Sequence, residues 1–414
     1  MGGRFRWWIA GLLFGASALS FFDRQVLSVL APNILADLGM TSVEYGYAVS
    51  AFTLAYSVMF TVGGRIIDHL GTRAGLGLTV IVWTLASLLH AAARTSPQLT
   101  FFRFLLGVGE GGCFPGAAKG ILEWFPARER GLAMGIATTG GSAFGAVLAP
   151  PVIVWIAGSA GWRGAFIATG VIGVVWALVW FLFYRRPEQS RFVTPAELRH
   201  IRQGLDAAAP KERPWPFRRL LARRDVAGIV ATRFLLDPVF YFYMFWIPQY
   251  LSRERGASLE DIGKLTWIPF FTLGVSSFLG GAASDLLIRR GWAVQSARKA
   301  VMAAAAFLTP VSILGIYAPD AFWAVTLLGV LTFAHGFWMT NYMTLIGDLF
   351  PAGTVATVVG LSGTAGGIGG FLSSLLVGSF VETYSFTPAF VVCGVLYPVG
   401  LAIILASVRD RYAY

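Results

Sequence analysis

The sequence predicts an all-α membrane protein of twelve transmembrane helices in two pseudo-symmetric six-helix bundles, and three observations carry that reading. First, 56% of the 414 residues are hydrophobic and only 13% charged, with a mean hydropathy of +0.67. That balance leaves too little polar surface for a water-soluble domain. Second, the apolar stretches number twelve and a single charged linker divides them six and six. Third, short matches recur between the halves at one fixed offset. Stretches of about 20 apolar residues cross a ~30 Å hydrocarbon layer as helices, because a bilayer forces backbone polar groups to pair internally.

In chain order the segments run roughly 7–33, 45–66, 75–93, 98–121, 131–156, 163–184, 226–251, 263–286, 299–317, 321–342, 355–381 and 386–408. The first is about twice as long as a signal-peptide core and no A-x-A-like site follows it, so it is expected to be retained. The 49 Gly and 14 Trp suit close helix packing and interfacial anchoring. The exceptional joint, Arg185 to Asp225, holds eleven of the 32 Lys and Arg. The expected organisation is therefore a bundle over 1–184, a linker over 185–225 and a second bundle over 226–414. A surface helix is expected in the linker after Thr194, which can cap its start.

Orientation follows from the basic residues in the joints. One side collects 24 Lys and Arg, including the whole linker, the other has five, and Arg24, Arg103 and Arg233 lie inside segments. By the positive-inside rule both termini and the linker are expected in the cytoplasm, with the protein multi-pass in a bacterial plasma membrane. The net charge of +11 is then a topology signal. Its spread along membrane edges argues against nucleic-acid binding.

The halves repeat. Phe125-Pro126-Ala127 recurs as Phe350-Pro351-Ala352, and the same offset of 225 maps Gly135, Thr139, Gly141 and Gly145 onto Gly360, Thr364, Gly366 and Gly370. A weaker match sets Gly64-x-x-x-Asp68 against Gly281-x-x-x-Asp285. Duplicated halves suit a transporter in which one half rocks against the other around a central site.

Charge inside a membrane segment is costly, at roughly 2.5–3.5 kcal/mol on insertion scales, and by default marks function. Phe21 to Ser28 places Asp23 and Arg24 within an apolar run, and Arg103 and Glu110 lie seven apart, two turns along one helix. Gly107, Gly109, Gly111 and Gly112 surround Glu110. They let another backbone approach or leave room for solute. A buried ion-pair network that only holds helices together is the plain structural alternative, although such pairs seldom outdo apolar packing. The functional reading makes the charges couple two ligands. Desolvation drives a carboxyl toward protonation and a nearby Arg opposes it. An anion engaging Arg24 deprives Asp23 and Glu110 of counter-charge, so they bind protons more readily. Anion and proton binding are then reciprocal, with the planar guanidinium suited to a carboxylate.

The second half offers aromatic and amide groups. Pro238 and Pro248 are expected to weaken the seventh helix. Arg233 and Asp237, one turn apart, read first as a local pair. Tyr241, Tyr243, Trp246 and Gln249 suit a polyol equally as well as packing or an interfacial belt. His335 stands as far before Phe350 as Glu110 does before Phe125, which makes it the counterpart of Glu110. Asn341 can bond a hydroxyl. For His335, packing and a site role stand level.

These residues carry a resemblance. The twelve-segment layout, the loop Gly64-Arg65-Ile66-Ile67-Asp68-His69-Leu70-Gly71-Thr72-Arg73 and the stretch RFLLGVGEGGCFPGAAKGILEWFPARERG resemble the major facilitator superfamily, specifically its anion:cation symporter family. DPVFYFYMFWIPQYL, EWFPARERG and APPVIVWI are most similar to bacterial hexuronate permeases, with galactonate and glucarate carriers as near relatives. The resemblance implies proton-coupled uptake of a sugar acid such as glucuronate or galacturonate. It implies protonation at Asp23 and Glu110, substrate contact by Arg24 and Tyr56, Arg103 in the same network, and gating by the Asp68 loop, with Arg73 and Asp285 alongside. His69 replaces the usual Arg or Lys of that loop.

The remaining expectations follow by class. No GxxxxGK[ST] motif is present, so ATP is not expected to drive transport. The four His lack ligand spacing and Cys113 and Cys393 both lie in apolar stretches, so no metal, cofactor or disulfide is expected. An enzyme would need a nucleophile and base, and a sensor a soluble output domain. Within transport, sodium coupling or anion exchange is the rival to protons. The expected partners are a small organic anion, protons and membrane lipid, with the chain acting as a monomer.

Overall fold

The computed structural model describes residues 4–205 and 215–408, whose regular structure is helical throughout. Among the described residues nine helices are long and apolar enough to cross a membrane. Two of them each contain two spans, because Ser42–His90 is divided at Gly71 (φ 77°) and Gly141–Phe183 at Gly161 (φ 66°). Only glycine takes that backbone conformation without strain. The fourth span is a broken pair, Ser96–Glu110 and Cys113–Trp124, parted at Gly111 and Gly112. Counting each divided helix as two spans and adding the broken pair as one gives the twelve spans expected. Phe278, Phe307 and Trp155 stand outward and exposed, as side chains facing lipid do.

Three spans depart from regular α-helix. The fifth passes through a π-helical stretch at Gly135–Gly140, and the ninth, Val294–Leu308, continues as the 3₁₀ segment Thr309–Tyr317. The seventh, Arg224–Phe245, contains Pro238 yet runs on through it. Its break comes at Trp246, and Pro248 starts the next helix, Ile247–Arg255. Proline is tolerated in a first turn, where its missing N–H is not needed. The weakening expected at both prolines is therefore seen as a break only before Pro248.

The repeated glycines have a common purpose. A Cβ on Gly141 would strike the carbonyl of Phe14, and one on Gly145 the carbonyl of Ala18, so the fifth span presses directly on the first. In the other half a Cβ on Gly366 would strike Asp237 and one on Gly370 the ring of Tyr241, where the eleventh span (Ala352–Thr383) presses on the seventh. The offset of 225 seen in sequence is thus a duplicated helix–helix seam, of the small-residue kind membrane helices use.

By contacts the chain separates into two compact units, Met1–Leu38 with Ala51–Lys211, and Gly39–Ser50 with Glu212–Tyr414. The sequence reading grouped 39–50 with the first bundle. In the structure Ser42 N–H donates to Glu382 (3.0 Å), Gln249 Nε2 donates to Ser42 Oγ (3.0 Å) and Tyr45 Oη donates to the Phe245 carbonyl (2.5 Å). Those bonds place these turns in the second unit. In the linker, Thr194 Oγ1 accepts from Glu197 N–H (3.2 Å) at the start of helix Pro195–Leu205, as expected. Buried Glu197 then accepts from the backbone N–H groups of Phe5 (3.3 Å) and Arg6 (3.0 Å). A carboxylate meets the open N-terminus of the first span there, a favourable place for negative charge.

The seam makes a prediction. Gly145→Val should cost about 1–3 kcal/mol by overpacking and lower the melting temperature of the purified protein. Gly131→Ala, with nothing within 4 Å of its Cβ position, should not. Equal melting of the two variants would show that the seam does not need glycine.

Candidate functional site

The first unit gathers its intramembrane charges around the first span, Phe5–Val29. Arg24 Nε donates to Glu110 Oε2 at 2.5 Å, and Ser20 Oγ, one turn before Arg24, donates to the same oxygen at 3.0 Å. Arg24 and Glu110 are both buried. The guanidinium of Arg24 lies over the rings of Tyr56 (4.3 Å), Phe21 (4.7 Å) and Phe52 (5.5 Å), where cation–π attraction adds to the pairing. Arg103 donates to the Arg24 carbonyl (3.1 Å) and also faces Phe52 (5.2 Å). Glu110 Oε1 is buried and accepts no hydrogen bond among the described residues. One carboxylate thus has one oxygen committed to Arg24 and Ser20 and one uncommitted.

Asp23 is buried too, but it points elsewhere. Ser87 Oγ donates to Asp23 Oδ1 (3.3 Å) and is itself 3.0 Å from Thr169 Oγ1. The two candidate proton sites therefore have separate hydrogen-bond partners. Adjacent residues on a helix are about 100° apart, which turns Asp23 toward the third and sixth spans when Arg24 faces the second and fourth.

The glycines around Glu110 settle the choice the sequence left open. A Cβ on Gly107 would strike the Phe52 carbonyl, and one on Gly111 would crowd Met59 and Tyr56. On Gly109 it would strike Trp83, and on Gly112 Thr79. The fourth span is thereby pressed against the second and third, and Glu110 is fixed at the junction.

In the second unit His335 pairs through Nδ1 with the Tyr397 hydroxyl and stacks on Phe240, with centroids 5.6 Å apart. The Tyr243 ring is 5.9 Å away, and its buried hydroxyl has no partner among the described residues. Tyr241 is buried and stacked on Phe245. Arg233 pairs with Asp237 at 3.1 Å, the local pair read from sequence. Asn341 donates to the carbonyls of Gly280 and Phe337 (2.9 Å each) and so bridges the eighth and tenth spans. Trp246 is buried edge-on to Tyr45 (5.0 Å), and Gln249 donates its Nε2 to Ser42 while its Oε1 accepts no hydrogen bond among the described residues. His335, Tyr243 and Tyr397 thus form one group, Tyr241 faces the eleventh span at Gly370, and Trp246 and Gln249 belong to the contact with residues 39–50.

Of the proposed gating residues, exposed Asp68 pairs with Lys119 (2.9 Å) and exposed Asp285 with Arg298 (2.9 Å), which also approaches Asp348 (3.5 Å). The two halves treat the repeated Asp alike. Arg73 instead donates to the Phe181 carbonyl (2.6 Å), at the end of the sixth span. Sequence reading missed Ser20, Ser87, Thr169 and Tyr397. Ser20 had a signal, four residues before Arg24 on the same helical face. The others come from distant spans and had none.

A twelve-span helical fold duplicated about a linker, with ionisable groups buried within its spans, is the architecture of a secondary transporter. The family model of the Major Facilitator Superfamily matches residues 13–371 and again 229–413, and the chain belongs to that superfamily. It is similar to the hexuronate transporter of Escherichia coli K12 (29% identical, covering 99% of this chain and 95% of the relative). It is also similar to the D-galactonate transporter of Escherichia coli O6:H1 (30%; 99% and 96%) and to a probable sulfoacetate transporter of Cupriavidus necator (32%; 95% and 91%). Among solved structures it shares its fold with a D-xylose-proton symporter (TM-score 0.76, 16% identical, 97% of each chain). A bacterial homologue of the lysosomal transporter Spinster does likewise (TM-score 0.73, 19%; 98% and 96%).

The pair can be tested through stability. Glu110→Ala strands a buried guanidinium and should cost about 3–5 kcal/mol. Glu110→Gln retains a carbonyl oxygen for Arg24 and should melt between Glu110→Ala and the wild type. Equal melting of all three would remove the pair from the packing of this bundle.

Proposed function

We propose that the protein is a proton-coupled symporter of an organic anion, a hexuronate such as glucuronate or galacturonate, working by alternating access in the plasma membrane with both termini cytoplasmic. The observation that carries this reading is the buried Arg24–Glu110 pair with its uncommitted Glu110 oxygen. An incoming carboxylate competes for the Arg24 fork. As it takes Arg24, Glu110 gives up its counter-charge and takes a proton, so no net charge is stranded in the dry interior. Deprotonation on the other side restores Glu110 as the partner of Arg24 and weakens the hold on the anion. Each ligand thereby raises affinity for the other.

Asp23, with hydroxyl neighbours, is the second proton site, and Arg103 supports Arg24 through its backbone. Tyr56, over the Arg24 guanidinium, frames the anion. His335, Tyr241 and Tyr243 are the groups suited to sugar hydroxyls, and the Asp68 and Asp285 pairs are candidates for the gates. The named substrates of the relatives support a sugar acid. The sulfoacetate relative favours a second reading, a smaller non-sugar organic anion, which competition by glucuronate, galacturonate, galactonate and sulfoacetate against one transported label decides.

Proteoliposome uptake tests the coupling. Labelled hexuronate should accumulate under an imposed pH gradient, inside alkaline, without sodium. Accumulation that follows sodium and ignores pH would overturn the proton assignment. Glu110→Gln should keep binding and counterflow and lose uphill uptake. Unchanged uphill uptake would return Glu110 to packing. Arg24→Lys should weaken binding about tenfold or more, since an ammonium lacks the planar fork. Near-normal affinity would move the anion site, with Arg103 next in line.

A further inference from the structure

Two adjoining cavities lie where the sixth span ends and the linker begins. The larger, about 460 Å³, is lined by Arg73, Arg185 and Arg191 with Phe181, Phe183 and Phe192. The smaller, about 290 Å³, shares Arg73, Arg185 and Phe181 and adds Arg186. All four Arg are exposed, and among the described residues none of them makes an ion pair. The carboxylate in the lining, Glu123, is spoken for, since its oxygens accept from Thr72 Oγ1 (2.8 Å) and Tyr184 Oη (2.7 Å). Nearby Glu188 lies 4.0 Å from Arg202. Positive charge therefore dominates a concave site.

The surroundings are apolar. Leu178 and Leu182, on the last turns of the sixth span, stand 60% and 65% exposed. Phe192 is stacked on Phe5 (5.0 Å) and lies 5.0 Å from the Arg191 guanidinium. Guanidinium groups at the end of a span, beside outward-facing leucines, sit at headgroup depth. Their planar forks match phosphate oxygens, and basic pockets between spans on this side suit anionic lipid headgroups.

We propose that this cavity is a binding site for a phosphate ester, supplied by the headgroup of an anionic phospholipid from the leaflet on the linker side. Arg73 is shared with the expected gating loop, but Arg185, Arg186 and Arg191 lie outside the proposed anion and proton site, so the cavity stands or falls separately from the proposed substrate.

Native mass spectrometry and thermal melting of the full-length detergent-purified protein test it. Dioleoyl-phosphatidylglycerol should be retained over dioleoyl-phosphatidylcholine and should raise the melting temperature. In Arg185→Gln/Arg191→Gln that retention should fall about fivefold per guanidinium removed. Arg185→Lys/Arg191→Lys, which keeps the charge and loses the planar forks, should retain less than the wild type and more than Arg185→Gln/Arg191→Gln, and retention equal to the wild type would overturn a site built on the forks. Arg289→Gln/Arg290→Gln, an exposed pair outside the cavity, should match the wild type. The source is read with sn-glycerol 3-phosphate. Weak competition by it assigns the site to lipid, whereas competition equal to that of phosphatidylglycerol assigns it to a soluble phosphate ester, and either upholds the site. Equal retention by the wild type and Arg185→Gln/Arg191→Gln overturns the proposal. So does an equal loss in Arg289→Gln/Arg290→Gln, which would mean diffuse surface charge. An unfolded Gln variant would be recognised by its own melting curve, and the Lys variant compared with the wild type for phosphatidylglycerol over phosphatidylcholine then decides.

Discussion

A guanidinium and a carboxylate buried side by side impose the constraint on which the first bundle depends. Arg24 and Glu110 cannot be left singly in an apolar interior, because an unpaired buried charge costs several kcal/mol. The first and fourth spans must therefore meet where these residues face each other. The glycines flanking Glu110 let the second and third spans close around that meeting. A pair that is stable only when complete is also a pair that an anion and a proton can replace together. The same physics thus accounts for the packing and for the coupling proposed.

The two halves solve one packing problem twice and use the result differently. Gly141 and Gly145 set the fifth span on the first, and Gly366 and Gly370 set the eleventh on the seventh. At the paired positions on the fourth and tenth spans the chemistry diverges. Glu110 meets Arg24, while His335 meets Tyr397 and the ring of Phe240. The first bundle holds Asp23, Arg24, Arg103 and Glu110, while the second holds the local pair Arg233–Asp237 beside groups suited to neutral hydroxyls.

At the cytoplasmic side of the expected topology, the polar contacts are of another kind. Asp68 and Asp285 are exposed carboxylates paired with the more covered Lys119 and Arg298, and solvent at the carboxylate end weakens such pairs. Weak pairs can be exchanged at low cost, a property suited to a moving gate and unsuited to a core. Glu197 differs, being buried against the first span's N-terminus. It ties the linker helix to the first bundle.

Hydropathy and a repeated glycine pattern were enough to determine the fold class and the twelve spans, and to single out Asp23, Arg24 and Glu110 as charges inside spans, because membrane insertion acts on local sequence and penalises every buried charge. The local pair Arg233–Asp237 and the Thr194 cap were legible for the same reason, their partners lying within one turn. Sequence could not say that Asp23 turns to Ser87 while Arg24 turns to Glu110, that Gln249 donates to Ser42, or that residues 39–50 pack in the second unit. Those outcomes depend on which faces of distant helices meet, and that is decided only when the spans pack in three dimensions.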